Sequence, residues 1–142
     1  MTDEYGMTKF DRSFFKKAFA AVLAIVLIAG VYTAYFNNRW KYELDLTYVD
    51  SVAYRNNPYK IEYHEYEIKN KTKRKLKDVT AVIVAEDNIF NDKVKLEYRI
   101  GTLQEGETDT IKIYETWLEN SIKEKKPHFW YSGFHIKKIT YK

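Results

Sequence analysis

The chain has 142 residues, room for one ordinary domain and an appendage. It is 45% hydrophobic, 17% aromatic and 31% charged, which excludes wholesale disorder and allows a packed core. Its formal charge of +4 comes from 24 basic residues interspersed with 20 acidic ones, so no nucleic-acid partner is called for, and the absence of cysteine excludes disulfides, thiolate metal sites and cysteine nucleophiles.

Residues 1–17 read as a short cytoplasmic tail. Residues 18–36, AFAAVLAIVLIAGVYTAYF, carry no charge. Nineteen residues at ~1.5 Å each span ~28 Å, close to the ~30 Å hydrocarbon core of a bilayer. The run is longer than a signal-peptide apolar region and ends in Tyr32, Tyr35 and Phe36, where a cleavage site would want small residues. The tyrosines, with Trp40 and Tyr42, resemble an interfacial aromatic belt. Lys9, Arg12, Lys16 and Lys17 precede the segment, whereas Arg39 and Lys41 follow it. This bias orients the N-terminus to the cytoplasm and the rest outside. Ala20, Ala24, Gly30 and Ala34 fall on one face of the helix, a candidate surface for close helix packing. Gly6 followed five residues later by Asp11 is similar to a type IV pilin leader, but Arg12, Ser13, Lys16 and Lys17 interrupt the apolar run that a pilin needs.

After a linker over 37–41, a body over 42–142 shows a period of two. Tyr42, Leu44, Leu46 and Tyr48 alternate with polar residues, as do Val94, Leu96, Tyr98 and Ile100. Val79–Ala85 is apolar on both faces and predicts a central, covered strand. Tyr59–Ile68 alternates with a slip of parity, which predicts a β-bulge near His64–Glu65. The last run slips likewise across Lys137–Lys138. Turns are expected at Asn56-Asn57-Pro58, over 70–77 and at Gln104-Glu105-Gly106, and Ser132-Gly133 signals a two-residue hairpin. Glu115–Lys125 breaks the alternation, and Trp117, Leu118 and Ile122 give it a short amphipathic turn of helix. Six or seven short strands without βαβ spacing predict an all-β body, an antiparallel β-sandwich behind a single N-terminal transmembrane helix.

Two stretches carry a resemblance: YEIKNKTKRKLKDVTAVIVAEDN and YRIGTLQEGETDTIKIY. Asn70, Thr72, Leu76 and Val79, then Leu103, Gly106 and Glu107, match the turn pattern of FxLYD-type and related immunoglobulin-like modules of bacterial membrane-anchored surface proteins. The resemblance covers about half the chain. It departs from that family at Val84-Ala85-Glu86-Asp87, where a Leu-Tyr-Asp signature would stand. It implies an immunoglobulin-like fold in an exported setting and implies no catalytic residue.

The three histidines, His64, His128 and His135, join no metal-binding or nucleophile motif, so no catalytic residue, metal site or cofactor is expected. The Asn70-Lys71-Thr72 sequon is read as a turn. The densest charge is the basic loop Lys69, Lys71, Lys73, Arg74, Lys75 and Lys77, suited to anionic headgroups or an acidic polymer. The stretch HFWYSGFH, 128–135, is the most informative. A hairpin at Ser132-Gly133 would set Phe129, Tyr131, Phe134 and Ile136 on a core face and His128, Trp130, His135 and Lys137 on an exposed one. That exposed face is the candidate interaction patch.

The expectation is a non-enzymatic single-pass protein of the cell membrane, displaying its body outside the cytoplasm for protein interaction or envelope assembly. The alternatives are a membrane-anchored module that binds a glycan or anionic wall polymer, and a pilin-like subunit.

Overall fold

The computed structural model describes residues 9–142, with side chains from Arg12 onward. The chain divides into two compact units at Arg39–Trp40.

Among the described residues, the first unit contributes one helix, α1, Lys9–Asn38. Alanine, leucine and other apolar residues with no proline favour it, and its 30 residues reach ~45 Å, the full depth of a bilayer with its headgroups. The stretch Arg12–Asn38 is long and apolar enough to span a membrane. Thr33 Oγ1 donates to the carbonyl of Ala29 at 2.8 Å and Asn38 Nδ2 to that of Ala34 at 2.9 Å, so these polar groups are satisfied within the helix. The expected segment 18–36 lies inside α1, and the basic flank before it is helical too. The pilin-like leader at Gly6 lies outside the described residues.

The second unit starts with a single turn, α2 (Trp40–Glu43), followed by β1 (Leu44–Tyr54), β2 (Asn57–Asn70), β3 (Leu76–Asp87), β4 (Asp92–Leu103), β5 (Thr108–Tyr114), α3 (Glu115–Lys125) and β6 (Gly133–Thr140). All pairings are antiparallel, in two three-stranded sheets ordered β1-β2-β5 and β4-β3-β6. The sheets share one core. Ile68, Ile111 and Ile113 enter it from the first sheet, and Val79, Ile83, Leu96 and Leu103 from the second. Leu118 and Ile122 of α3 complete it, and α3 touches β2, β4 and β5. β3 is central and buried from Ala81 through Ala85, as its two-faced apolar run requires. The slip at Lys137 is present: Val82 pairs with Lys138 and Ile83 with Ile136, leaving Lys137 unpaired.

Four expectations change. Tyr42 is not in the first strand; it is exposed in α2, and β1 begins at Leu44. Trp40, expected in the linker, packs against the core of the body and belongs to the second unit. β2 carries no bulge at His64–Glu65, because it pairs regularly with β5 from Tyr63 to Lys69. The register slips instead at Val49 on β1, at Glu62 on β2, and again between Ile61 and Asn57. His64, Tyr66, Ile68 and Asn70 share one side of β2, and the skipped Glu62 brings Ile61 round to that side while Tyr63 faces the other. The fourth change is the hairpin at Ser132-Gly133. Residues 126–132 are not a strand, and β6 pairs with β3 instead: Phe134 with Ala85, His135 with Val84 and Ile136 with Ile83.

Candidate functional site

Asp87, at the end of β3, explains why the stretch before Gly133 is no strand. Its carboxylate is buried among backbone donors. One oxygen accepts the N–H of Ile89 at 2.9 Å and of Phe90 at 3.0 Å, which folds the β3–β4 turn. The other accepts the N–H of Trp130 at 3.2 Å. Ser132 N–H then donates to the carbonyl of Glu86 at 2.8 Å, and the chain enters β6. Residues 126–132 are thus pinned to β3 and have no free partner strand for a hairpin.

A different exposed set forms, which shares Trp130 with the predicted patch. Phe90 is 69% exposed, Ile89 64% and Trp130 61%, and their backbones meet at one carboxylate. Three large apolar side chains in solvent at one end of a rigid sheet is an uncommon arrangement. Beside them lies a cleft of about 490 Å³ lined by Asp87, Phe90, Asp92, Lys126, His128 and Phe129, among others. Lys126 Nζ reaches both oxygens of Asp92 at 2.7 Å, and this hydrogen bond holds the Asp92 carboxyl below the usual range.

Of the predicted patch, His128 and Trp130 come to this end and are exposed. His135 and Lys137 are exposed too, but they lie along β6. His135 Nδ1 is 3.4 Å from Glu86, and Trp130 and His135 are not cross-strand partners. The intended core face, Phe129, Tyr131, Phe134 and Ile136, does pack against the core.

No family model matches this chain, and no curated protein or solved structure matches it either.

The basic run divides into parts. Lys69 is on β2 and Lys77 on β3, whereas Lys71, Lys73, Arg74 and Lys75 form the connecting loop. Its organiser is Asn70, which has 0% exposure. Asn70 Nδ2 donates to the carbonyls of Arg74 at 2.8 Å, Gln104 at 2.9 Å and Leu103 at 3.3 Å. Its Oδ1 accepts from Thr72 N–H and Oγ1 at 3.0 and 2.6 Å. The sequon asparagine is thus an internal brace, with its amide nitrogen fully engaged. On α1, Ala20, Ala24, Gly30 and Ala34 are all exposed, and a Cβ built at Gly30 would meet nothing within 4 Å.

One constellation was invisible in the sequence. His64 Nδ1 and Ser51 Oγ are 2.8 Å apart, and Ser51 Oγ is also 2.7 Å from the Tyr48 hydroxyl. His64 Nε2 is 2.5 Å from Glu115 Oε1, and the Tyr131 hydroxyl lies in the field of the same carboxylate. The His64 ring stands edge-on to Phe134, 4.9 Å between centroids. This chain of polar groups links β1, β2, α3 and the segment leading into β6. Burial pushes the Tyr131 hydroxyl well above its usual range, and the adjacent Glu115 adds to that. A hydrolytic serine needs oxyanion donors and an open face for substrate. The cleft beside Phe90 and a second of about 390 Å³ between Lys95, Trp117 and Lys125 lie elsewhere, and neither is lined by Ser51 or His64. Among the described residues no group of three or more His, Asp or Glu side chains is arranged to hold a metal.

Proposed function

We propose that this chain is a single-pass membrane protein whose body is displayed outside the cytoplasm and acts by binding a protein partner, without catalysis. The carrying observation is the exposed trio Ile89, Phe90 and Trp130 on a buried Asp87 bracket. Aromatic and aliphatic anchors on a rigid support are what protein interfaces concentrate their binding energy in. α1 supplies the anchor, and the excess of Lys9, Arg12, Lys16 and Lys17 over Arg39 and Lys41 supports the outward orientation. An immunoglobulin-like reading of the body is supported by strand order. Taken as A, B, C, C′, E and F, the strands β1 to β6 give sheets A-B-E and C′-C-F, an immunoglobulin arrangement lacking its last strand.

A reporter active only outside the cytoplasm, fused after Lys142, tests the orientation; activity from an N-terminal fusion instead reverses it. For the partner, the full chain is purified in mild detergent from its own membranes alongside a Phe90→Ala/Trp130→Ala variant. A protein retained by the first and lost from the second, with both folded, supports the reading. Equal recovery from both removes this end of the body from the interface.

A second reading, a glycan or wall-polymer module, is favoured by the adjacent cleft, where Phe90 and Phe129 stand with Lys126 and His128. Retention on a cell-wall polysaccharide column that falls on Phe90→Ala would select it.

A further inference from the structure

We propose that the body binds a second copy of this chain, with the outer face of its first sheet against the outer face of the other copy's second sheet. The proposal is independent of the exposed trio and uses the second unit alone.

The pairing register fixes what each outer face carries. On β2 the core takes Tyr66 and Ile68, so Tyr63, Glu65, Glu67 and Lys69 turn outward. Their partners in register turn outward with them: Asp45 opposite Lys69, Asp50 opposite Glu65, and Lys112 of β5 on the far side of Glu65. This face sets Asp45, Asp50, Glu65 and Glu67 against Lys69 and Lys112. On the second sheet the core takes Ile83 and Ala85 of β3 and Val94 and Leu96 of β4. Lys93, Lys95, Glu97 and Arg99 of β4 therefore turn outward, with Glu86 of β3 and His135 and Lys138 of β6. One outer face is acidic and the opposite one is basic.

Neither excess is settled inside the body. Asp50 and Glu65 are like charges in direct opposition, an arrangement that costs a sheet stability. Among the described residues, no basic side chain lies within salt-bridge distance of Asp45, Asp50, Glu65 or Glu67. Lys112, the neighbour of Glu65, holds its Nζ 4.9 Å from the centroid of the Tyr63 ring. On the basic face Arg99 reaches Asp78 at 3.3 Å and His135 reaches Glu86 at 3.4 Å. Lys93, Lys95 and Lys138 have no carboxylate within that range among the described residues.

Opposite charges on opposite faces decide the mode of contact. Acidic face on acidic face, or basic on basic, brings like charges together, whereas acidic on basic satisfies both. Such a contact runs head-to-tail. It uses a different face of each copy, leaves one of each free, and does not close as a symmetric dimer. Exposed ion pairs each raise association by at most about fivefold, so the contact is weak and salt-sensitive, and covalent capture is the measurement suited to it.

The two outer faces are separated by both sheets, whose mean planes stand ~10 Å apart. A carbodiimide joins a carboxylate to a touching amine with no spacer, so it can link Glu65 to Lys93 only between copies. The full chain is mixed as light and heavy-isotope-labelled copies in mild detergent at low salt, treated with carbodiimide, and its linked peptides are read by mass spectrometry. Light–heavy links from Glu65 or Glu67 to Lys93, Lys95 or Lys138 are expected, and ~1 M salt should cut them at least about tenfold. A Glu65→Lys/Glu67→Lys variant makes both faces basic, and a Lys93→Glu/Lys95→Glu variant makes both acidic. Each alone should sediment as a smaller species than the parent chain. Their mixture should regain the larger species, with links from Lys93 or Lys95 of the first variant to Glu65 or Glu67 of the second. Light–heavy links confined to other positions, or none at all, overturn the proposal. So does a folded variant that associates with itself as the parent does, which would move the contact to α1 or to the exposed trio. Should a variant lose its fold, the link positions and salt dependence of the parent chain decide by themselves.

Discussion

Asp87 and Trp130, 43 positions apart, are joined by a hydrogen bond from the Trp130 N–H to one carboxylate oxygen, while the other oxygen caps the β3–β4 turn. One buried acid thus positions both halves of the exposed trio. Asp87→Ala strands three backbone donors, each worth ~1–3 kcal/mol if left unsatisfied, though water reaches some of them. The expected loss is about 2–4 kcal/mol by urea titration. Asp87→Asn keeps one acceptor, so the turn should persist while amide exchange quickens around Trp130. A fold indifferent to both changes would mean that the bracket is not what holds this end.

Phe129 and Trp130 are neighbours with opposite burdens. Phe129 packs against the core and Trp130 is exposed. Truncating a fully buried phenylalanine costs ~3–5 kcal/mol, and Phe129 is only partly buried, so Phe129→Ala should cost ~2–3 kcal/mol. Trp130→Ala should stay within ~0.5 kcal/mol and act on partner binding. Thermal melts of the two variants decide it; a larger loss for Trp130→Ala would make that indole structural.

The period-two runs made much of the body legible. β3 and β4 follow from their apolar spacing, and α3 spans the residues that break the alternation. What failed depended on distant partners. Ser132-Gly133 is a sound local turn signal, but Asp87 captures the segment before it. The parity slip in β2 is real, yet its origin lies in Glu62, which only the pairing register reveals. The Ser51–His64–Glu115 chain spans three elements at separations of 13 and 51 residues, and no spacing rule connects them. The exposed end was half legible: Trp130 was found through its parity, but Ile89 and Phe90 sit in a turn, where periodicity is silent.

Alkaline pH should weaken the body. Burial raises the hydroxyls of Tyr66, Tyr98 and Tyr131 above their usual value. A raised folded-state pKa means that the native state holds its proton more tightly. The associated stability is complete below the unfolded value near ~10 and is lost as pH rises beyond it. Melting temperature should therefore be level through neutral pH and drop above about pH 10. Tyr131→Phe should flatten part of that drop, and an unchanged profile would show that other groups carry it.

His64 bonds its cross-strand partner Ser51 on one side and Glu115, the first residue of α3, on the other. His64→Ala leaves the Glu115 carboxylate, with side-chain exposure of 19%, without its imidazole partner. The expected cost is about 2–3 kcal/mol, against less than ~1 kcal/mol for Ser51→Ala, whose loss leaves the histidine–glutamate bond in place. Ser51→Ala should also leave partner capture unchanged. If Ser51→Ala abolishes a hydrolytic activity while the fold persists, the chain is a catalytic device and the binding reading falls.

The boundary of the body gives the last prediction. Periodicity sets its start at residue 42, but the contacts set it at Trp40. Trp40 packs against the core, and Glu43 holds Lys71, Arg74 and Tyr141. A fragment of residues 40–142 keeps every one of these and should fold alone with a β-rich circular dichroism spectrum. A fragment of residues 44–142 loses the indole, an ion pair and two hydrogen bonds together. Partial burial of a tryptophan is worth ~2–3 kcal/mol and the polar contacts ~1–2 more, a large share of the ~5–15 kcal/mol that holds a domain. The shorter fragment should melt well below the longer one. If the two melt together, residues 40–43 are a passive spacer.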